Sequence, residues 1–122
     1  MAKLLIIDDE TKLRETICEL FTMTGYEVVE AIDGLDGIEK VKQVKPDLII
    51  CDIMMPKLDG YGFIEKLKLS HFAKIPVLFL TAKIELVDHE KGLALGAKEY
   101  ITKPFSFKEL KKIVELHLLQ NN

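Results

Sequence analysis

Three short runs along the chain are apolar at every position: Leu4-Leu5-Ile6-Ile7, Leu48-Ile49-Ile50-Cys51 and Val77-Leu78-Phe79-Leu80. A strand wetted on one side alternates apolar and polar residues. One that is apolar throughout is covered on both faces, as in a parallel sheet with helices on each side. Two shorter segments, Tyr26–Glu30 and Glu99–Thr102, complete a set of five candidate strands. Between the strands the apolar period becomes helical. Leu13, Ile17, Leu20 and Phe21 recur at i, i+4, i+7 and i+8 as a core-facing stripe, with Gly25 placed as a C-terminal stop. Asp33 is positioned to cap a helix carrying Leu35, Ile38 and Val41, which ends before Pro46. Phe63, Ile64 and Leu67 mark a third helix after a turn-rich stretch from Pro56 to Gly62. Ser106 and Glu109 form a Ser-x-x-Glu capping box for the last helix, and Phe105 and Leu110 are spaced to staple it. The segment Ile84–Leu95 follows no clean stripe, and its Gly92 costs about 1 kcal/mol relative to Ala inside a helix. That segment is either a loop or an element that moves.

Strand followed by helix, five times over, is the alternation of an α/β doubly wound sheet. With 122 residues, no internal repeat and no linker composition, the chain is expected to form one domain over residues 1–122. Its longest apolar run is four residues, too short for a membrane span or a signal peptide. The 17 basic side chains, sixteen Lys and the single Arg14, are spread along the chain against 20 acidic ones. A nucleic-acid surface would concentrate positive charge on one face, so no direct nucleic-acid contact is expected. Cys18 and Cys51 stand far apart and read as reduced, buried thiols; His71, His89 and His117 are scattered and make no zinc site. These features predict a soluble cytoplasmic domain.

In an open parallel sheet, ligands bind beyond the carboxyl ends of the strands. Here the first strand ends in Asp8-Asp9, the third in Asp52, the fourth in Thr81 and the fifth in Lys103. If strands one and three are neighbours, three carboxylates converge on one crevice. Two unit charges 4 Å apart repel by about 4 kcal/mol at an effective dielectric of 20, so either a proton is taken up or a hard cation is bound. An all-oxygen donor set suits Mg²⁺, which keeps waters and bridges to phosphate. A carboxylate, a metal, an ammonium and a hydroxyl about one point make a phosphoryl-transfer site, in which Asp52 is the natural nucleophile.

Ile6-Ile7-Asp8-Asp9, the stretch from Asp47 through Asp52 to Pro56, Leu58-Asp59-Gly60, Leu80-Thr81-Ala82 and the stretch from Gly96 to Phe105 together resemble the receiver domain of two-component response regulators. The resemblance is of the chemotaxis-regulator kind and covers nearly the whole chain. It implies a flavodoxin-like sheet in the order 2-1-3-4-5 with five helices. Asp52 would accept a phosphoryl group from a sensor histidine kinase or a histidine phosphotransfer protein. Asp9 and Asp52 would hold Mg²⁺, or Mn²⁺ in its place, by their side chains, Asp8 through water and Met54 through its backbone carbonyl. Lys103 would pair with the phosphoryl oxygens, and its bond to Pro104 is expected to be cis. Thr81 would move onto the phosphoryl group, and Tyr100 would swing into the space it leaves. Met54 and Lys83 would flank the phosphoryl group. Neither activates water as a carboxylate does, which predicts slow self-dephosphorylation.

The expected output surface is the Ile84–Leu95 segment, Tyr100 and the last helix, meeting a downstream effector or a fused output domain. A phosphorylation-dependent homodimer is compatible with the same surface. Such a domain is not an enzyme beyond its own Mg²⁺-dependent phosphorylation and dephosphorylation. Asp33, Asp36 and Asp59 read as cap or turn residues. An aspartate-nucleophile phosphatase would need a second acid where Met54 stands. A flavin phosphate would be repelled by Asp8, Asp9 and Glu10, and no phosphate-binding glycine pattern follows the first strand. The alternative is a receiver-shaped interaction module that is never phosphorylated.

Overall fold

The computed structural model describes residues 2–83 and 85–120, so Ile84, the first residue of the loosely patterned segment, lies outside the described residues, as do Met1, Asn121 and Asn122. Strands and helices alternate as β1 (Lys3–Ile7), α1 (Thr11–Met23), β2 (Glu27–Ala31), α2 (Gly34–Val44), β3 (Leu48–Cys51), α3 (Gly60–Lys68), β4 (Val77–Thr81), α4 (Leu86–Ala94), β5 (Glu99–Thr102) and α5 (Phe107–Gln120). The strands form one parallel sheet in the order β2-β1-β3-β4-β5.

The unbroken apolar runs are explained by the two cores. Leu5, Ile7, Ile49, Cys51, Val77 and Phe79 point to one face, where they meet Val41 of α2 and Phe63, Ile64 and Leu67 of α3. Their neighbours Leu4, Ile6, Leu48, Ile50, Leu78 and Leu80 point to the other, where they meet Ile17, Cys18 and Phe21 of α1 and Leu110 and Val114 of α5. Alternate residues serve opposite layers, so none of these three runs has a position left for a polar side chain.

The helix boundaries follow local chemistry. Asp33 caps α2 by accepting from the Asp36 N–H at 2.8 Å, Asp59 caps α3 by accepting from the Gly62 N–H at 2.8 Å, and Ser106 accepts from the Glu109 N–H at 3.3 Å. Gly25 follows α1 at φ +99, a conformation that favours glycine. Some expectations shift. The buried stripe of α1 is Arg14, Ile17, Cys18 and Phe21, with Leu13 and Leu20 only half-buried beside it. Leu35 is exposed, while α2 packs closely through Gly34 against Leu58 and through Gly37 against Ile7 of β1, where an added Cβ would collide. α3 starts at Gly60, inside the stretch expected to be turn. β2 runs one residue later than its pattern, through Ala31.

Within the weakly patterned segment, Leu86–Ala94 form a helix, α4. Leu86, Val87 and Leu93 of α4 are exposed, which is why no stripe is legible, while Gly92 is buried flat against Tyr100 and Phe79.

Two glycines are expected to respond differently to alanine. At Gly60 a Cβ would collide with the Asp52 carbonyl and the Ile53 Cα, backbone that cannot yield, whereas at Gly25 nothing lies within 4 Å and only the positive φ resists. Urea unfolding should show Gly60→Ala losing about 3 kcal/mol and Gly25→Ala only about 1–2 kcal/mol. Equal losses would contradict this packing.

Candidate functional site

The sheet register places the acidic cluster. Ile7 is paired with Cys51, so the residues that follow them, Asp8 and Asp52, leave adjacent strands side by side. The Asp52 N–H continues the ladder to the Ile7 carbonyl at 2.9 Å, and the Asp8 N–H reaches the Ala31 carbonyl at 3.2 Å. One carboxylate oxygen from each of Asp8, Asp9 and Asp52 lies within 4.8 Å of the others. Asp8 and Asp52 are buried while Asp9 is exposed, so the cluster opens to solvent at Asp9.

Each buried carboxylate is oriented by the main chain. Asp52 Oδ1 accepts from the Ile53 N–H at 2.7 Å and Asp8 Oδ1 from the Glu10 N–H at 2.9 Å. Their second oxygens face Lys103, whose Nζ stands 3.4 Å from Asp8 Oδ2 and 3.6 Å from Asp52 Oδ2. Lys103 is placed by its own N–H, which bonds the Thr81 carbonyl at 2.8 Å, and the following bond to Pro104 is cis. One ammonium against three carboxylates leaves the cluster under-neutralised. Burial first, with the Asp52 charge adding to it, pushes the Asp8 carboxyl above its ordinary value. Burial, reinforced by Asp52 and Asp8, likewise pushes the Cys51 thiol well up, which keeps it protonated and unreactive beside the site.

The chemistry of the donor set fits a hard divalent cation: clustered carboxylate oxygens, one of them open to solvent, and no soft ligand. A cleft of about 600 Å³ opens at the cluster, lined by Asp9, Ile53, Met54, Tyr61, Lys83 and Asp88.

Of the remaining expected residues, Thr81 is buried at the end of β4, and its Oγ1 accepts from the Lys83 N–H at 3.3 Å. It does not cap α4, whose N-cap position is Glu85. Met54 is largely exposed. Lys83 is paired with Asp88, its Nζ 3.6 Å from Asp88 Oδ1. Tyr100 lies half-buried in β5. Its hydroxyl is already buried, with no hydrogen-bond partner among the described residues, and the His89 ring covers it at 3.9 Å between centroids. The room for that packing comes from Gly92. Asp33 and Asp59 are caps, and Asp36 Oδ2 accepts from the Ile32 N–H, as their turn reading requires.

Arg14 was missed. It is buried in α1, donates from Nη1 to the Asp8 carbonyl at 2.7 Å and pairs through Nε with Glu30 at 2.9 Å. The signal was its singularity, a lone arginine among sixteen lysines. A guanidinium can hold two acceptors at a fixed angle where an ammonium cannot.

The family model for the response regulator receiver domain matches residues 4–115. The chain belongs to that family. This receiver domain is 43% identical over 108 residues to a probable transcriptional regulator ycf27 of Cyanophora paradoxa, which covers 88% of this chain and 44% of the relative. It is 41% identical over 109 residues to the phosphate regulon transcriptional regulatory protein PhoB of Escherichia coli, covering 88% and 48%. Among solved structures, the Francisella response regulator 1452 receiver domain superposes with a TM-score of 0.94 at 30% identity, covering all of both chains. The receiver domain spans less than half the length of the curated relatives it matches. Receiver domains serve phosphorylation-type signalling, typically bind Mg²⁺, and work with histidine kinases and effector domains. Among the described residues, no helix is long and apolar enough to cross a membrane.

The raised Asp8 carboxyl has a consequence for stability. The fold holds the Asp8 proton more tightly than the unfolded chain does. That contribution is complete below the ordinary value of 3.8 and is lost as pH rises through the folded value. In metal-free buffer, Asp8→Asn should therefore match the wild type near pH 3 and exceed it at pH 7, by on the order of 1 kcal/mol. Mg²⁺ should raise the unfolding midpoint of the wild type more than that of the variant. A variant no more stable at pH 7 than at pH 3, relative to wild type, would contradict the electrostatics.

Proposed function

We propose that this receiver domain is a phosphorylation-activated switch. It takes a phosphoryl group on Asp52 from the phosphohistidine of a sensor histidine kinase or a histidine phosphotransfer protein. The observation that carries this reading is the carboxylate of Asp52, held by the Ile53 N–H, at the meeting point of Asp8, Asp9 and Lys103. Asp9 and Asp52 would hold Mg²⁺ through their side chains, Asp8 through water and Met54 through its carbonyl. When bound, Mg²⁺ offsets the carboxylate charge and polarises the phosphoryl oxygens. The Asp52 carboxylate attacks phosphorus. A P–O bond forms as the P–N bond breaks, and the imidazole leaves with that electron pair. Lys103 neutralises charge on the equatorial oxygens, and the enclosure of Asp52 keeps bulk water from competing.

The product carries about two negative charges where Asp52 carried one, with three strong acceptor oxygens. Thr81 and Lys103 interact better with that group than with a bare carboxylate, so they bias the domain toward a second arrangement. The surface that changes is α4, Tyr100 and α5, where Leu86, Val87, Leu93, Leu116 and Leu119 are exposed. It would meet an effector, a fused output domain or a second phosphorylated copy. Decay of the acyl phosphate is slow, because neither Met54 nor Lys83 can activate water.

Intact mass after incubation with acetyl phosphate tests the reading. One phosphoryl mass should be gained, requiring Mg²⁺ and abolished by Asp52→Ala, and hydrogen exchange across Leu86–Leu95 should change in the modified sample. Failure to gain the mass with the fold intact would leave the interaction-module reading. Followed over time, the phosphoryl mass should decay faster in the double variant Met54→Asn, Lys83→Glu, by about tenfold or more, since a positioned acid–base group typically contributes ~10²–10⁴-fold. An unchanged half-life would sink the account of slow decay.

A further inference from the structure

The connection from β4 into α4 carries contacts that the proposed phosphotransfer does not use. Asp88, in the first turn of α4, is held from two sides. The Tyr61 hydroxyl donates to Asp88 Oδ1 and lies at the same 3.3 Å from its backbone carbonyl, and the Lys83 ammonium stands 3.6 Å from the same Oδ1. Tyr61 is a firm anchor. Burial, then the neighbouring Tyr100 and Asp88, push its phenol up, so it is a donor at neutral pH. Its ring packs edge-on to Phe79 at 5.8 Å and lies under the Lys91 ammonium at 4.3 Å. It is the second residue of α3, whose first, Gly60, donates to the Ile53 carbonyl at 2.8 Å, directly beside Asp52.

Lys83 is less constrained. Its side chain is 32% exposed on a flexible four-carbon stem, and its N–H bonds the Thr81 hydroxyl. Lys83 and Asp88 line the same cleft as Asp9 and Met54, so the ammonium and the acid site share one open space.

We propose that Asp88, positioned by Tyr61, is the counter-anion that holds the Lys83 ammonium off the acid site, and that a phosphoryl group on Asp52 competes with Asp88 for it. This rests on the reading of Asp52 as phosphoacceptor. Before modification, a free ammonium in that cleft would be drawn to Asp9 and Asp52 and would oppose the metal; Asp88 prevents this. After modification, a dianionic phosphoryl group attracts Lys83 more strongly than the singly charged Asp88 does. Transfer of the ammonium covers the phosphoryl group against water. It also removes one of the two side-chain ties on the first turn of α4, leaving the Tyr61 hydroxyl as the other. Tyr61 and Asp88 are positioning residues, acting through Lys83.

The test is the lifetime of the phosphoryl group, followed by intact mass after the acetyl phosphate is removed, in the wild type, Asp88→Asn, Tyr61→Phe, Lys83→Ala and the two combinations with Lys83→Ala. Asp88→Asn should lengthen the half-life two- to fivefold, a modest factor because an ion pair this exposed is weak. Tyr61→Phe keeps the ring and should act in the same direction but less. Neither should have any effect in the Lys83→Ala background. No effect of Asp88→Asn, or an effect that persists without Lys83, overturns the proposal, and thermal unfolding checks that each variant is folded. A wild type that gains no phosphoryl mass overturns the phosphoacceptor reading and this proposal with it. A wild type that gains the mass but shows no Lys83-dependent role for Asp88 overturns the ammonium exchange alone.

Discussion

Mutual repulsion among Asp8, Asp9 and Asp52, with Lys103 as the adjacent ammonium, is the constraint on which this structure turns. Lys103 offsets only part of that repulsion; the scaffold imposes the arrangement. Parallel register forces Asp8 and Asp52 out of adjacent strands at the same level. Arg14 ties down the Asp8 carbonyl, and the absence of a side chain at Gly60 lets α3 begin against the Asp52 backbone. The two apolar cores on either face of the sheet supply the free energy that holds these groups in place. A cluster kept short of positive charge responds strongly to any charge added to it, whether a divalent cation or a phosphoryl group.

The helices around the sheet are not equally committed to it. α1 and α5 bury Ile17, Phe21, Leu110 and Val114 completely, and α3 buries Phe63, Ile64 and Leu67. α4 buries only Gly92 and turns Leu86, Val87 and Leu93 outward, so much of what holds it is polar: Tyr61 and Lys83 on Asp88. Polar ties of this kind are weak and respond to nearby charge, whereas apolar burial does not. The element nearest Thr81 is therefore the one whose position local electrostatics can alter.

Much of this was legible in the chain. Continuous apolar runs can be satisfied only by a sheet covered on both sides, so the α/β layering followed from Leu4–Ile7, Leu48–Cys51 and Val77–Leu80 alone. The residues after those runs, and after Glu99–Thr102, had to lie at one edge of the sheet, so Asp8, Asp9, Asp52, Thr81 and Lys103 could be grouped from the sequence. The caps Asp33 and Ser106 and the stop at Gly25 are local, and local chemistry is written in order along the chain. Other features depend on which distant residue stands opposite. Arg14 on the buried stripe of α1 reads as a polar interruption until the Asp8 carbonyl and Glu30 are seen beside it. Gly92 reads as a weak helix position until Tyr100 and Phe79 are found against it. Lys83 reads as a neighbour of Asp52, yet it pairs with Asp88, which Tyr61 also holds. The sequence by itself determined the layers, the strand ends and the chemistry gathered there, because hydrophobic periodicity and adjacent residues are one-dimensional information. The tertiary structure alone decided which charged groups are paired and which are left short of a partner, because that depends on distances of a few ångströms between residues far apart in the chain.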